Sequence, residues 1–594
     1  MLNFLIKIRI HLIFTLLTMD KKPVVIIFLS ILTIGMGIFN IFLIPFIPPP
    51  IKPDLGTTLF VGTTSGPDTL DPVNSWDDYS NVILEQVVEP LFFYDLYDLD
   101  LPRINVLAES YFWENLTSLH IKLREGVRFH DGTSFNADAA KWNFDRLLYL
   151  TNCTGTNTNQ VAQTQTLWML PDGETSIINN VITVGKYNIT LILNAPYAPL
   201  LNTLAYINAG MISPTAHKDE KSSFIHALTG TPIGTGPYKY VQYKTKNEVV
   251  LSRWEGYWRN LAIFKTVKFL IYEEIDDLSN AIWSHQIDYA YSRNSMNLPS
   301  YEDDSSIIVK NFTDDTGQPE LACRFYQFNT DELNETWREA LSYAINYNNL
   351  ITEAGDNKRT RASSIISPAF GAAYNSYIIA PIYNITKARQ IMLSMDFGNI
   401  SWTDDQWIAV AESQSPFRVI NCSESDYERL SNTFRLIGIK TDPIFKPWLS
   451  SSGSKCIQTS GSDIEASQLI SYSQCDILLV GWAPDYFDAF NMLYNALKTK
   501  FGFYLEWGFL NWEIVEVPIL NDTWINSKLD LALETLDDET RNNIYKDIQW
   551  YLSETLHSHA FVYHNKIRFV HSADLYEIPY NALVKFQAYG IRRG

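Results

Sequence analysis

The chain has 594 residues, 46% of them hydrophobic and 19% charged, which is enough apolar sequence for at least two cores and excludes a disordered or fibrous polymer. Its 66 Asp and Glu against 46 Lys and Arg leave a net charge of -20, a surface that repels phosphate backbones, so no nucleic acid partner is expected. An aromatic content of 14% supplies ring surface for stacking on a ligand as well as for packing.

The first feature along the chain is apolar. No residue between Lys22 and Lys52 carries a formal charge, and Val24 to Ile47 is mostly Val, Ile, Leu, Phe and Met. As a helix this stretch spans about 40 Å, long enough to cross a hydrocarbon core with tilt. Lys7, Arg9, Lys21 and Lys22 precede it, and Pro48, Pro49, Pro50 and Pro53 follow it. The positive-inside rule then makes residues 1–22 a cytoplasmic N-terminus and 23–47 a single-pass, uncleaved anchor in the cell membrane. Residues 48–53 become a stiff Pro-rich spacer, and the bulk of the chain is extracellular. A cleaved signal peptide is the competing reading, but the stretch is long for one and no small-x-small site follows it. Met19, ahead of Asp20-Lys-Lys22, is an alternative start of translation. Beyond the anchor lie nine Asn-x-Ser/Thr sequons, at Asn115, Asn152, Asn188, Asn311, Asn334, Asn384, Asn399, Asn421 and Asn521, as an exported glycoprotein could use. All five cysteines (Cys153, Cys323, Cys422, Cys456, Cys475) also lie there, an odd number without a CxxC pair, so at least one is unpaired within the chain.

After the spacer, strand-like runs at Thr58 to Gly62, Ser118 to Leu123, Ile189 to Leu193, Val249 to Ser252 and Val267 to Ile271 alternate with helical patterns at Ser80 to Leu91 and Ala137 to Leu148. That alternation is the texture of an α/β protein with mixed sheets. From Glu335 the chain is more helical, with amphipathic stretches at Glu335 to Ile345, Ile385 to Ser394 and Asp426 to Leu436. Asp476 to Gly481 is nearly all apolar and reads as a strand buried on both faces. A last helix over Asp537 to Glu554 precedes two returning strands, Ala560 to Tyr563 and Ile567 to Val570.

Enzyme signatures are missing: there is no GxSxG elbow, HExxH helix, Walker loop or GxGxxG after a strand. The acid pairs Asp303-Asp304, Asp314-Asp315 and Asp404-Asp405 read as solvated loops. His557 and His559 have metal-like spacing but no third ligand nearby, and read as histidines at a helix end. No catalytic residue, metal or cofactor is expected. The remaining motifs are architectural. Gly-rich turns at Asp131-Gly132 and Gly234 to Pro237 offer positive-φ positions where strands reverse, and Asn136 and Asp138 can cap the helix that follows the first of them.

These motifs occur in a fixed order. Thr69-Leu-Asp-Pro72 comes first, then Val88-Glu-Pro-Leu91, then Leu123-Arg-Glu-Gly-Val-Arg-Phe-His-Asp-Gly-Thr133 running on to Ala139 and Arg146-Leu147. Pro232-Ile-Gly-Thr-Gly-Pro-Tyr238 and Tyr257-Trp258 follow, then Phe328-Asn-Thr330, Arg338 to Ile345, Ala388 to Ile391 and Ile437-Gly-Ile439. Gly481-Trp-Ala-Pro-Asp-Tyr-Phe-Asp488 and a helix with Arg541, Tyr545 and Gln549 complete the set. In this order, over about residues 57 to 570, the chain resembles the family 5 extracytoplasmic solute-binding proteins of ABC importers, the oligopeptide-, dipeptide- and nickel-binding type. It departs from the family pattern at Pro90, Trp254 and Ala489, where Gly, Asn and Pro are usual.

The resemblance implies a two-lobed fold of the periplasmic-binding-protein kind, with a hinge and the solute enclosed between lobes that close. Lobe I would comprise residues 54–322 and 551–594, and lobe II residues 323–550. It implies a binding component rather than an enzyme, which hands its solute to a permease with ATPase subunits; because all membrane-length apolar sequence lies before Ile51, the body beyond the anchor is expected to be a monomer. In peptide-binding members the Asp after the Gly-Trp motif pairs with the peptide's ammonium; that position is Asp485, flanked by Trp482 and Tyr486. The segment after Leu-Asp-Pro also approaches the ligand in such proteins, which nominates Trp76, Asp77 and Asp78. A peptide is thus the expected solute. An oligosaccharide on the same fold, a sensory receptor on that fold, and a secreted hydrolase are the competing readings.

Overall fold

The computed structural model describes residues 25–28, 42–45 and 56–594, except for 228, 293–303, 331, 353–357, 422–423, 446–475 and 498–521. Within the expected anchor, Val25–Phe28 and Phe42–Pro45 are two short strands paired antiparallel, so the helix expected over 23–47 is not shown. No helix among the described residues is long and apolar enough to cross a membrane. Residues 1–22 and the spacer 48–53 lie outside the described residues.

Two large sheets organise the rest. The first has seven strands in the order Tyr238–Lys244, Glu248–Arg253, Thr266–Ile271, Thr58–Thr63, Tyr289–Ala290, Phe569–Ser572 and Ile307–Lys310. Thr58–Thr63 runs parallel to both of its neighbours, and its alternating side chains serve two cores: Leu59 and Val61 join one cluster and Phe60 the other, against Leu278 and Ile282 of the helix Ile275–Trp283. The second sheet has six strands in the order Arg359–Arg361, His559–Asn565, Cys323–Phe328, Ile477–Trp482, Phe417–Asn421 and Thr441–Phe445. Ile477–Trp482 lies antiparallel to Cys323–Phe328 and parallel to Phe417–Asn421. It sends Ile477 and Leu479 into the second core and Leu478 into the first, so the apolar run is a mixed-sheet strand buried on both faces. A smaller four-stranded antiparallel sheet (Ala108–Asn115, Ser118–Leu123, Asn188–Leu193, Ile178–Thr183) packs under the helix Ala137–Leu150.

The recurring motifs meet inside this fold. Buried Glu89 accepts hydrogen bonds from Thr235 Oγ1 (2.8 Å), Tyr257 Oη (2.7 Å) and Trp258 Nε1 (2.9 Å), which joins three motifs at one carboxylate. Burial raises its pKa, and the Trp258 indole and Arg259 pull it back. Asp71 and Arg146 form an ion pair with side chains 0% and 1% exposed, and Asp71 also accepts from the backbone N–H groups of Val73 and Ile225. Asn136 caps its helix by accepting from Ala139 N, as its position suggests. Gly132 has the positive φ expected at its turn (+84°). Gly234 and Gly236 do not have positive φ; a side chain at Gly234 would strike the backbone of Val87 and Val88 and one at Gly236 that of Gln86 and Val87, so their role is close approach.

Two chain segments pass between the large sheets side by side. One leads from Ile307–Lys310 to Cys323–Phe328, the other from His559–Asn565 to Phe569–Ser572. Glu320 N donates to Asn565 O (3.0 Å), Ile567 N to Thr313 Oγ1 (2.8 Å), and Lys566 pairs with Asp314 (2.6 Å). His559–Asn565 completes the second sheet, and the chain returns to the first sheet near residue 566.

Candidate functional site

A cavity of about 200 Å3 lies where the chain after Ile477–Trp482 meets the first lobe. Its second-lobe wall comes from Trp482, Asp485 and Tyr486 at the strand's end and from Phe490, Asn491, Tyr494 and Asn495 on the helix Ala489–Leu497. Asp488 positions that helix: its carboxylate accepts from Phe490 N (2.9 Å), Tyr545 Oη (2.9 Å) and Asn202 Nδ2 (3.0 Å), and Arg541 lies 3.7 Å away. The first-lobe wall is Trp76, Tyr197 and the turn from Gln165 to Gly173.

Asp485 is the charged group on this wall. It is partly buried; its Oδ1 accepts from Trp76 Nε1 at 2.6 Å and its Oδ2 from Asn491 Nδ2 at 3.1 Å, while its own N–H donates to Asn491 Oδ1 at 3.1 Å. Loss of water pushes its pKa up to about 6, against the pull of the Asn491 and Trp76 hydrogen bonds. Two fixed donors thus hold this carboxylate in place on the cavity wall. Tyr486 Oη and Tyr197 Oη bond across the seam at 3.0 Å, and burial raises the pKa of both phenols.

Of the residues nominated from sequence, Trp76, Trp482, Asp485 and Tyr486 come together on the cavity, and Asp77 and Asp78 do not line it. Asp77 is the N-cap of the helix Asp78–Val87, accepting from Ser80 N at 2.7 Å, and Asp78 occupies that helix's first turn, where a negative charge suits the dipole. Burial and neighbouring Asp68 raise the Asp77 pKa to about 7. The sequence reading missed the turn Gln165 to Gly173, Tyr197, Asn491 and Tyr494. The i, i+4 pairs Phe490/Tyr494 and Asn491/Asn495 were visible on one helix face; the turn carried no comparable signal.

Several of the acids weighed for other chemistry are held in ion pairs. Asp314 pairs with Lys566, Asp315 with Lys310, and Asp404 with Arg389, while Asp303 lies outside the described residues. His559 is buried and stacked on Phe561, with its pKa lowered to about 3 by burial. No group of three or more His, Cys, Asp or Glu among the described residues could hold a metal ion. Cys153 and Cys323 are free thiols; the other three cysteines lie outside the described residues.

Comparison with known proteins adds the lineage. The family of bacterial extracellular solute-binding proteins, family 5 middle, matches residues 104–503. The glutathione-binding protein GsiB of Shigella flexneri serotype 5b is 28% identical over 343 residues, 56% of this chain and 60% of that protein. GsiB of Pectobacterium atrosepticum is 22% identical over 490 residues, 81% of this chain and 84% of that protein. The match to the Shigella relative thus spans less than two thirds of its length. Among solved structures, the periplasmic binding protein DppA of Helicobacter pylori in complex with the peptide STSA aligns with a TM-score of 0.68 at 17% identity, covering 91% of this chain and 98% of that one. That likeness establishes the two-lobed mixed α/β fold.

Proposed function

The chain belongs to the bacterial extracellular solute-binding proteins of family 5, and on that premise we propose that it is the non-enzymatic binding component of an ABC importer, taking peptides by their free N-terminal ammonium at Asp485. The observation that carries this reading is the Asp485 carboxylate on the cavity wall, oriented by Trp76 and Asn491 and raised in pKa by burial. A ligand ammonium supplies the opposite charge that such a group lacks in the cavity, and the solvated peptide remainder keeps its hydrogen bonds to backbone and water. In this reading residues 23–47 anchor the protein in the cell membrane, the body outside works as a monomer, and permease and ATPase subunits are its partners. Exposed Asn115, Asn188, Asn311, Asn334, Asn384 and Asn399 would be acceptors for sugar on the exported face.

The test is a cycle of Asp485→Ala against N-acetylation of a bound peptide, read by calorimetry. Each change alone is expected to weaken binding by a hundredfold or more, the scale of breaking a buried ion pair worth about 3 to 5 kcal/mol, and the two together little further. Fully additive losses would remove Asp485 from the ammonium site. The second reading, an oligosaccharide, is favoured by the Trp76 and Trp482 rings on the wall; it predicts no effect of acetylation because no peptide binds at all.

A further inference from the structure

We propose that the cavity admits only the N-terminal residue of the peptide, that this residue carries an uncharged apolar side chain, and that the peptide's carboxylate must lie outside, so free amino acids and zwitterionic dipeptides are poor solutes. This narrows the peptide reading above and rests on it.

Three features converge. The first is size: about 200 Å3 falls below the ~300 to 1,000 Å3 of pockets that enclose a whole drug-sized ligand, so one residue fills it and the rest of the chain must lead out. The second is the wall. Leu167 and Met169 of the first-lobe turn face rings of the second-lobe helix, where Phe490 and Tyr494 stack at 5.2 Å and Tyr197 meets Phe490 edge-on at 6.1 Å. Tyr494 Oη donates to Pro171 O at 2.8 Å, which ties the turn to the helix. The apolar wall is therefore braced, and a charged side chain pressed against it would lose its water without moving it.

The third feature is charge. The cavity already holds the Asp485 carboxylate, and no Lys, Arg or His is among its described lining residues. The carboxylate of a dipeptide whose ammonium sits on Asp485 lies only about 7 Å along the chain at ~3.5 Å per residue, within the same water-poor space. Two like charges at that separation repel strongly where little water screens them, whereas a longer peptide or a C-terminal amide places no second anion there.

The probe is a set of four ligands titrated into the full-length protein in detergent: Leu-Leu amide, Leu-Leu, Glu-Leu amide and N-acetyl-Leu-Leu amide. Leu-Leu amide should bind at least tenfold tighter than Leu-Leu and than Glu-Leu amide. Leu-Leu binding as tightly as its amide would overturn the exclusion of the carboxylate, and Glu-Leu amide binding as tightly would overturn the apolar first residue. Both failures leave the ammonium reading standing provided the acetylated ligand is weak. An acetylated ligand as tight as the free amine, or no binding by any of the four, would instead overturn the ammonium reading and this proposal with it.

Discussion

At the scale of single residues, Asp485 faces opposed demands in the proposed function: its charge would serve a cationic ligand and is costly to the empty fold. Its folded pKa of about 6 stands above the ordinary 3.8, so the folded chain holds the proton more tightly than the unfolded chain. The group's stabilising contribution is then complete below about pH 4 and is lost as pH rises through about 6. At pH 7 the charged carboxylate costs about 1 to 3 kcal/mol, the upper figure being the full shift at ~1.4 kcal/mol per pH unit and the lower allowing for water on its cavity side. Asp485→Asn should therefore raise the melting temperature at pH 7 while abolishing tight peptide binding, and an unchanged or lower melting temperature counts against the buried charge. Binding has the opposite slope. The carboxylate must be ionised and the peptide amine protonated, so affinity should peak between about pH 6 and pH 8 and fall up to tenfold per unit below pH 6, which calorimetry from pH 5 to pH 9 will resolve. Asp71 is the contrasting case, its charge fully matched by Arg146 in the core. Asp71→Ala leaves a guanidinium buried and two backbone N–H groups without their acceptor, and should cost about 3 to 5 kcal/mol, seen as a lower urea midpoint.

Secondary-structure elements show why the ordered motifs mark this fold without marking its chemistry. Glu89, Thr235, Tyr257 and Trp258 are a packing device that docks the turn from Pro232 to Tyr238 onto the end of the helix Asp78–Val87. Gly236→Ala places a methyl group 2.7 Å from Gln86 O. Thermal unfolding of that variant should show a loss of about 1 to 3 kcal/mol, with peptide affinity unchanged at temperatures where it is folded. Strands and amphipathic helices were legible because alternation and turn chemistry are local: Ser118–Leu123 and Ile385–Ser394 coincide with their sequence assignments. The helix expected to reach Leu91 stops at Val87, since Pro90 disfavours helical backbone at Glu89 and Val88 is already extended. Most of the cavity was not legible, since Trp76, Trp482, Asp485 and Tyr486 are four of its sixteen described lining residues. Asp77 drew its expected ligand role from its place after the Leu-Asp-Pro motif, through the family resemblance, yet the Ser80 backbone N–H claims its carboxylate. Met169 and Leu170 border the cavity only because Tyr494 ties down their turn 323 residues away in sequence, a contact no local pattern announces.

For the whole molecule, the two lobes are in contact along a seam that a solute cannot cross as it stands. Besides Trp76 to Asp485, the seam holds Tyr197 with Tyr486, Asn202 to Asp488, Phe487 N to Tyr94 Oη (3.0 Å) and Ala198 N to Leu533 O (2.8 Å). The first core runs through it without a break, since Leu201 and Tyr206 share a cluster with Phe490 and Leu493. On the peptide reading proposed above, entry of the solute requires the lobes to part, and the paired crossovers at 311–322 and 566–568, where the chain passes between the two sheets, are the expected place for the bend. Opening exchanges the seam's hydrogen bonds for water, a modest net change per bond, and exposes its apolar surface, so the ligand's differential affinity for the closed form decides the balance. Small-angle scattering should then show a smaller radius of gyration at saturating peptide than without it. Asn202→Ala, which removes a seam contact at Asp488 and none at Asp485's carboxylate, should enlarge the ligand-free radius and weaken binding without altering its pH profile. A radius that is the same with and without ligand in both proteins would take lobe closure out of the mechanism and require another path into the cavity.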